Sequence, residues 1–184
     1  MKPESAAPFL FTVGSHNDFL STRDLGKTVL RDLEDQTPAD TATVIINFTG
    51  VVAMTHSFAD EFLGQYYSAL ATQDGNPTTV FVTELNDELR ETLTVCFERR
   101  DLIALEVQGQ ELGLLAASEV LNQTFALAQE LRTFTAMNIA EHLKITAPNA
   151  NNRLKRLVAA RTLLRELRVA ERGGKEFTYS VPIV

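Results

Sequence analysis

The strongest constraint on the fold is an alternation of short apolar runs and one amphipathic segment in the first half of the chain. Residues 43–48 (TVIINF) and 78–83 (TTVFVT) are β-branched runs with the length of a buried strand. Between them, over residues 57–71, apolar side chains recur at helical spacing. The residues on that helical face are Phe58, Phe62, Tyr66, Ala69 and Leu70. Helices that alternate with such strands predict a small α/β layer domain with a mixed sheet.

The rest of the first half completes this pattern. Apolar periodicity predicts two more helices, over residues 22–35 and about 86–98. Residues 102–107 and 112–115 are separated by a short segment that contains Gly109, and they are interpreted as a closing hairpin. We therefore assign residues 1–117 to one α/β domain.

The pattern changes at Ser118. Residues 118–132 are predicted to form a linker helix with Ser118 as its N-cap. The order that follows in residues 133–184 is helix, turn, helix, strand, Gly-Gly turn and strand. The predicted elements are a helix at 138–143, a turn at 144–147, a helix at 148–160 and strands at 163–169 and 176–181.

The charge of the chain is divided unevenly along its length. The 184 residues allow one domain or two small ones. Residues 1–118 hold 7 Lys and Arg against 18 Asp and Glu, a balance of −11, whereas residues 119–184 hold 10 against 6, a balance of +4. The two parts therefore have different electrostatic partners, and the basic part favours nucleic acid.

Several classes of protein are excluded by composition. No apolar run approaches the roughly 18 residues of a membrane span, and the first 14 residues lack the features of a signal peptide, so a cytoplasmic protein is expected. The single cysteine, Cys96, excludes an internal disulfide. The three histidines have no metal-ligand spacing, and no phosphate-binding glycine loop is present, so no metal ion and no cofactor are expected.

The predicted helix over residues 148–160 has one apolar and one polar face. Ala150, Leu154, Leu157 and Val158 form the apolar stripe on a helical wheel. The opposite arc and its flanks carry amides and cations without an acid, and the turn between the last two strands adds two more cations. These candidate DNA-binding residues are Asn149, Asn152, Arg153, Lys155, Arg156, Arg172 and Lys175. Asn and Arg suit base edges and Lys suits phosphates, which predicts double-stranded DNA as partner, although a basic face that only meets water has the same composition.

At these residues the chain resembles a winged helix-turn-helix of the kind found in bacterial transcription regulators. The resemblance covers about residues 133–184, from FTAMNIAEHLKITAPNANNRLKRLV to the hairpin RGGKEFTYSVP. It implies that the arc from Asn149 to Arg156 is the recognition surface and that DNA is the partner. Winged helices also serve as protein-interaction modules, so the fold leaves both roles open.

A second resemblance lies in the first half, over roughly residues 9–100. A strand that ends in Asn47-Phe48 leads to a helix start with the sequence Ser57-Phe58-Ala59-Asp60-Glu61, which is similar to the STAS-like domain family. That family includes anti-sigma-factor antagonists, in which a kinase-like ATPase partner phosphorylates a serine at this position. The resemblance implies a regulatory or partner-binding role for Thr55, His56, Ser57 and Asp60.

Two other interpretations of this segment stay open. Ser57 and Asp60 fit a capping box at a helix N-terminus, with Asp in place of the preferred Glu or Gln. A hydrolase that uses His56 and Ser57 is a further alternative, but neighbouring residues rarely give base-to-nucleophile geometry. We therefore expect no catalytic residues and no enzyme activity.

The sequence as a whole favours a two-domain regulator, in which a STAS-like domain receives a signal and a winged helix binds DNA to control transcription. The alternative is a protein-interaction switch that resembles an anti-sigma-factor antagonist, binds a kinase-like ATPase and never binds DNA. A homodimer is slightly favoured, since winged helices commonly bind palindromic sites as dimers.

Overall fold

The N-terminal unit is built on a five-stranded mixed sheet. A computed structural model describes residues 7–169 and 173–183 of the chain. The strands, numbered along the chain, are β1 (Phe9–Thr12), β3 (Thr43–Asn47), β5 (Thr79–Thr83), β6 (Ala104–Gln108) and β7 (Glu111–Leu115), which lie in that order across the sheet. The first four are parallel and β7 runs antiparallel to β6. A separate short parallel pair joins β2 (Phe19–Leu20) to β4 (Ala53–Met54).

The helices of this unit pack on one face of the sheet. They are α1 (Arg23–Gln36), α2 (His56–Ala59), a π turn (Asp60–Gly64), α3 (Gln65–Ala71) and α4 (Asp87–Arg100). Side chains alternate between the two faces of a strand, so Val44 and Ile46 of β3 enter the core beneath these helices. Ile45 points to the opposite face and packs against a second core.

The C-terminal unit combines three helices with a small antiparallel sheet. Its elements are α5 (Glu119–Leu131), β8 (Thr133–Thr135), α6 (Ala136–Leu143), α7 (Ala147–Ala159), β9 (Leu164–Val169) and β10 (Lys175–Ser180). The strands lie in the order β8-β10-β9. Thr135 and Asn138 form a reciprocal capping box at the start of α6, and Thr146 caps α7.

The second core connects the two units. Phe81 and Leu105, on the sheet face that α1 to α4 leave open, belong to the same buried cluster as Phe125 of α5, Leu154 of α7 and Tyr179 of β10. Helix α5 contributes its apolar stripe to this cluster and lies against the C-terminal helices. The two units therefore share one apolar interior across the back of the sheet.

The structure confirms the mixed sheet and the hairpin of β6 and β7, and it differs from the sequence expectations at several points. Strand β1 was not predicted, because the run at residues 8–13 is too short to distinguish a strand from a loop. The helix expected at residues 57–71 begins at His56 and contains the π turn. Ser118 stands at the N-cap position of α5, but its side chain accepts no hydrogen bond from the helix. Among the described residues, no helix has the length and apolarity to cross a membrane.

Candidate nucleic-acid interface and the N-terminal helix start

Helix α7 exposes a polar surface without any acidic residue. Thr146 accepts a hydrogen bond from the backbone N–H of Asn149, and Pro148 occupies the first turn, where it costs no backbone hydrogen bond. Ala150, Leu154 and Leu157 are fully buried on the opposite side. This burial fixes the rotation of α7, so the polar residues divide into two groups by what they contact.

The first group faces α5 and the N-terminal unit. The Arg153 Nε donates to Asn149 Oδ1 at 2.9 Å, and its Nη1 lies 3.3 Å from Thr124 Oγ1 of α5. The Arg156 Nη2 forms an ion pair with Asp101 Oδ1, at the end of α4, at 2.5 Å. Arg153 and Arg156 are therefore engaged within the protein, and Asn149 accepts from one of them.

The second group points to solvent. Asn152 and Lys155 are exposed, and neither side chain has a hydrogen-bond or ion-pair partner among the described residues. Asn151 is also exposed on this side and was not among the residues that the sequence singled out. Pro148 and Ala159 complete the same side of the helix. We name the surface formed by Pro148, Asn151, Asn152, Lys155 and Ala159 the exposed arc of α7.

The hairpin of β9 and β10 adjoins this arc. A shallow cavity between α6, α7 and β10 has Met137, Asn151 and Phe177 among its lining residues. Lys175, the first residue of β10, is exposed. Arg172, the other cation predicted at the hairpin tip, lies outside the described residues. Lys175 therefore lies at the start of the strand whose Phe177 lines this cavity together with Asn151 of the exposed arc.

The start of α2 corrects the capping role predicted for Ser57. Thr55 is the N-cap: its Oγ1 accepts from the backbone N–H of Phe58 at 3.2 Å and donates to the carbonyl of Ser21 at 2.8 Å. The helix begins two residues earlier than a Ser57 cap requires, so Ser57 lies within the first turn and is half-buried. His56 is exposed, and no hydrogen bond links its ring to the Ser57 hydroxyl in the described structure.

Asp60 pairs with arginine and does not cap the helix. Arg100 of α4 donates from Nε to Asp60 Oδ1 at 2.6 Å and from Nη2 to Oδ2 at 3.1 Å, a two-point contact. Gly64 permits this approach, because a Cβ there would lie 2.9 Å from the Arg100 Nε. The hydrogen bond from Arg100 lowers the pKa of Asp60 below its usual value, against an opposing effect of burial. Asp60 therefore binds the π turn to α4.

Acid is expected to remove the stabilisation that the Asp60–Arg100 pair provides. Because the pKa of Asp60 is lowered in the folded protein, this contribution is present above about pH 4 and is lost as the pH falls through the folded-state pKa. One third of the Asp60 side chain is exposed, so solvent screening limits the contribution to about 1 kcal/mol. Urea unfolding over a pH series should show a weaker acid dependence in Asp60→Asn than in the wild type.

The matched control for this measurement is Asp35→Asn, which changes an exposed carboxylate of α1 without an ion-pair partner among the described residues. Its pH dependence should follow the wild type. An Asp60→Asn curve with the wild-type shape would mean that the pair contributes nothing to stability.

Arg161 provides the second polar link between the two units. It follows α7, is 7% exposed, and its Nη2 donates to the carbonyls of Leu70 at 2.9 Å and Gln73 at 2.6 Å. These carbonyls lie at the C-terminal end of α3, where a cation is stabilised by the unpaired acceptors and the helix dipole. Burial lowers the pKa of the guanidinium from its usual value. The Arg161 hydrogen bonds and the Arg156–Asp101 ion pair together connect the C-terminal end of α7 to the N-terminal unit.

Comparison with known families gives one match. Residues 26–72, from within α1 to just after α3, match the family described as STAS-like domain of unknown function (DUF4325). Curated proteins and solved structures give no match to the chain. The matched segment contains β3, the Thr55 cap and the Asp60 turn. The family match and the mixed α/β sheet with helices on one face support a STAS-like domain in the N-terminal unit.

Proposed function

We propose that the protein is a two-domain regulator whose STAS-like unit receives a signal and whose C-terminal unit binds double-stranded DNA to control transcription. The observation that carries this proposal is the exposed arc of α7, which presents the amides of Asn151 and Asn152 and the cation of Lys155 and contains no acid. The Asn151 Nδ2 donates to the carbonyl of Ala147 at 3.0 Å, whereas Asn152 and Lys155 have no side-chain partner among the described residues. An exposed, acid-free polar surface on a helix that is anchored by its other face suits insertion into a DNA groove.

The arrangement of the C-terminal unit supports this use of α7. The proposal treats this unit as a winged helix-turn-helix, and the order α5, β8, α6, α7, β9 and β10, with β8 joined to the hairpin through β10, supports it. In a helix-turn-helix the second helix of the pair enters the major groove. In the proposal, helix α7 takes that role and the β9–β10 hairpin takes the role of the wing.

The chemistry of the arc separates base contacts from phosphate contacts. Asn151 and Asn152 carry amides that can make a bidentate contact to adenine in the major groove. Lys155 and Lys175 carry point charges that neutralise phosphates without reading sequence. Arg153 and Arg156, which lie against α5 and Asp101, hold α7 in place in this proposal and do not touch bases.

A DNA titration of the full-length protein tests the proposal. Fluorescence anisotropy with a labelled duplex at about 50 mM and about 200 mM salt should show binding that weakens steeply as salt rises, since counterions are released when Lys residues neutralise phosphates. No binding at the lower salt concentration would contradict the proposal.

Substitutions in the arc are expected to separate sequence-specific from general affinity. Asn152→Ala should weaken binding to a duplex selected from a random library by about 1–3 kcal/mol and leave binding to unrelated duplexes nearly unchanged. Lys155→Ala should weaken binding to both duplexes alike and reduce the salt slope by about 1. Lys27→Ala, an exposed lysine of α1, is the control and should change neither affinity. Equal losses for the two arc variants at both duplexes would remove the base-reading role of Asn152.

A second candidate function rests on the surface beside the Thr55 cap. Phe19 of β2 and Val52, just before β4, are 52% and 65% exposed on the strand pair that leads into α2. Exposed apolar side chains at one place on a surface are typical of protein-binding sites. In this alternative a protein partner, such as a kinase-like ATPase, binds here and DNA does not bind. Ser57→Asp would then change the affinity for the partner, and the DNA titration would give no signal.

A further inference from the structure

The outer edge of β9 is open in the described structure. β9 is the last strand in the order β8-β10-β9, and its residues from Arg165 to Val169 are all exposed. A strand edge of this kind presents unpaired backbone N–H and C=O groups that can pair with another strand. No strand among the described residues covers this edge.

Apolar side chains lie along one face of the same hairpin. Leu167 is opposite Phe177 in the β9–β10 register, so both project from one face, together with Val169. Arg165, whose guanidinium lies 4.6 Å from the centre of the Phe177 ring, and Lys175 flank these apolar residues on the same face. Leu167 is 53%, Val169 82% and Phe177 44% exposed. Apolar residues grouped in this way mark an interaction surface.

The other face of β9 carries one acidic and one basic residue, an arrangement that matches a second copy of the same strand. Glu166 and Arg168 are two residues apart, project from the same face, and form an exposed ion pair at 3.0 Å. We propose that two copies of the chain pair antiparallel through β9, with Leu167 of one copy opposite Leu167 of the other. Glu166 of each copy then lies opposite Arg168 of the other, and a two-fold axis passes between the two Leu167 residues. This pairing does not depend on DNA binding.

Other registers are less favourable for physical reasons. A shift of one residue would place the apolar face of one hairpin beside the charged face of the other, because the side chains of a strand alternate. A shift of two residues would oppose either Glu166 with Glu166 or Arg168 with Arg168, and like charges directly opposite destabilise a strand pair. Of these registers, the one centred on Leu167 brings the apolar residues of the two hairpins together and pairs opposite charges.

The molecular mass and a cross-link test this register. Light scattering of the full-length protein should give twice the chain mass of 20.4 kDa at high concentration and fall toward one chain mass on dilution. Leu167→Cys should then form a disulfide between copies, because directly opposite Cα atoms lie about 4.5–5.5 Å apart, within disulfide reach. Val169→Cys alone should not, because the two Val169 residues would be about 13 Å apart along the strands. A mixture of Val169→Cys and Arg165→Cys should cross-link, since these residues oppose each other.

The native cysteine does not interfere, because Cys96 is 3% exposed. A chain mass of 20.4 kDa at every concentration, or cross-linking of Val169→Cys alone as fast as Leu167→Cys, would overturn the proposal.

Charge reversal gives an independent check. Glu166→Arg should raise the dissociation constant of the dimer about tenfold, because arginines would oppose each other at two symmetric positions. Adding Arg168→Glu should restore the affinity to within about threefold of the wild type. The control is Glu141→Arg, the same charge change on the exposed surface of α6, which should leave the dimer unchanged. A double variant as weak as the single one would overturn the register.

Discussion

Phe81→Ala is expected to destabilise the N-terminal and C-terminal units together, by about 3–5 kcal/mol. Phe81 is completely buried in β5 and belongs to the core that also contains Phe125 and Leu154 of the C-terminal helices. Its removal leaves a cavity that both units line. Since the two units share this core, a loss of packing on one side lowers the stability of the other.

The measurement for Phe81→Ala is hydrogen exchange on peptides from β3 and from α6 across a urea series. Both sets should lose protection at the same, lowered urea concentration. Phe19→Ala, the same change at a half-exposed phenylalanine, is the matched control and should cost less than about 1 kcal/mol. Loss of protection in the β3 peptides alone would contradict the shared core.

Arg90→Met is expected to cost about 3–5 kcal/mol, because it leaves a buried carboxylate without its cation. The side chain of Glu106 is 5% exposed and accepts from Arg90 Nε at 2.9 Å and from Gln108 Nε2 at 3.0 Å. Arg90 also donates to the carbonyl of Leu85 at 3.0 Å, so it joins the start of α4 to β6. A methionine keeps most of the volume of the side chain and removes its charge.

A double-mutant cycle by urea unfolding measures this interaction. Arg90→Met combined with Glu106→Gln should recover roughly half of the loss, since the carboxylate that remains unpaired in the single variant is then neutral. Arg168→Met removes the cation of the exposed pair with Glu166 and should cost less than about 1 kcal/mol. Equal costs for Arg90→Met and Arg168→Met would show that burial of Glu106 has no energetic consequence.

The central strands and the main helices could be predicted from the sequence because their side chains follow one clear period. β3 and β5 are β-branched runs, and α1 and α4 end within a few residues of their predicted ends. Short strands could not be predicted in the same way. The three residues of β8 form a strand only because β10 pairs with them, which is a long-range contact that periodicity does not contain.

At the candidate site, too, the sequence predicted local properties and missed those that depend on distant residues. The sequence identified an acid-free, basic helix, and α7 has that composition. It could not give the rotation of the helix against its surroundings. Arg153 contacts α5 and Arg156 pairs with Asp101, so the polar side chains without a partner among the described residues are Asn152 and Lys155. Asn151 could have been included from its position in the same amide-rich run, which contains no acid.

The residue that caps α2 is decided by a contact with a distant part of the chain. Thr55 and Ser57 are both hydroxyl residues that can cap a helix, and both precede an apolar helical face. The carbonyl of Ser21, 34 residues before Thr55 in the chain, accepts from the Thr55 hydroxyl and favours Thr55 as the cap. Asp60 was expected to take part in capping, but Arg100 lies within hydrogen-bond distance and holds the carboxylate at the π turn.

The measurement that tests the central claim most directly is amide chemical-shift mapping of the full-length protein as duplex DNA is added. We expect the largest shifts at Asn151, Asn152 and Lys155, with further shifts at Lys175. Residues around Phe19 should change little. Shifts concentrated at Phe19 and the start of α2, or no shifts at all at low salt, would contradict the assignment of DNA binding to the exposed arc of α7.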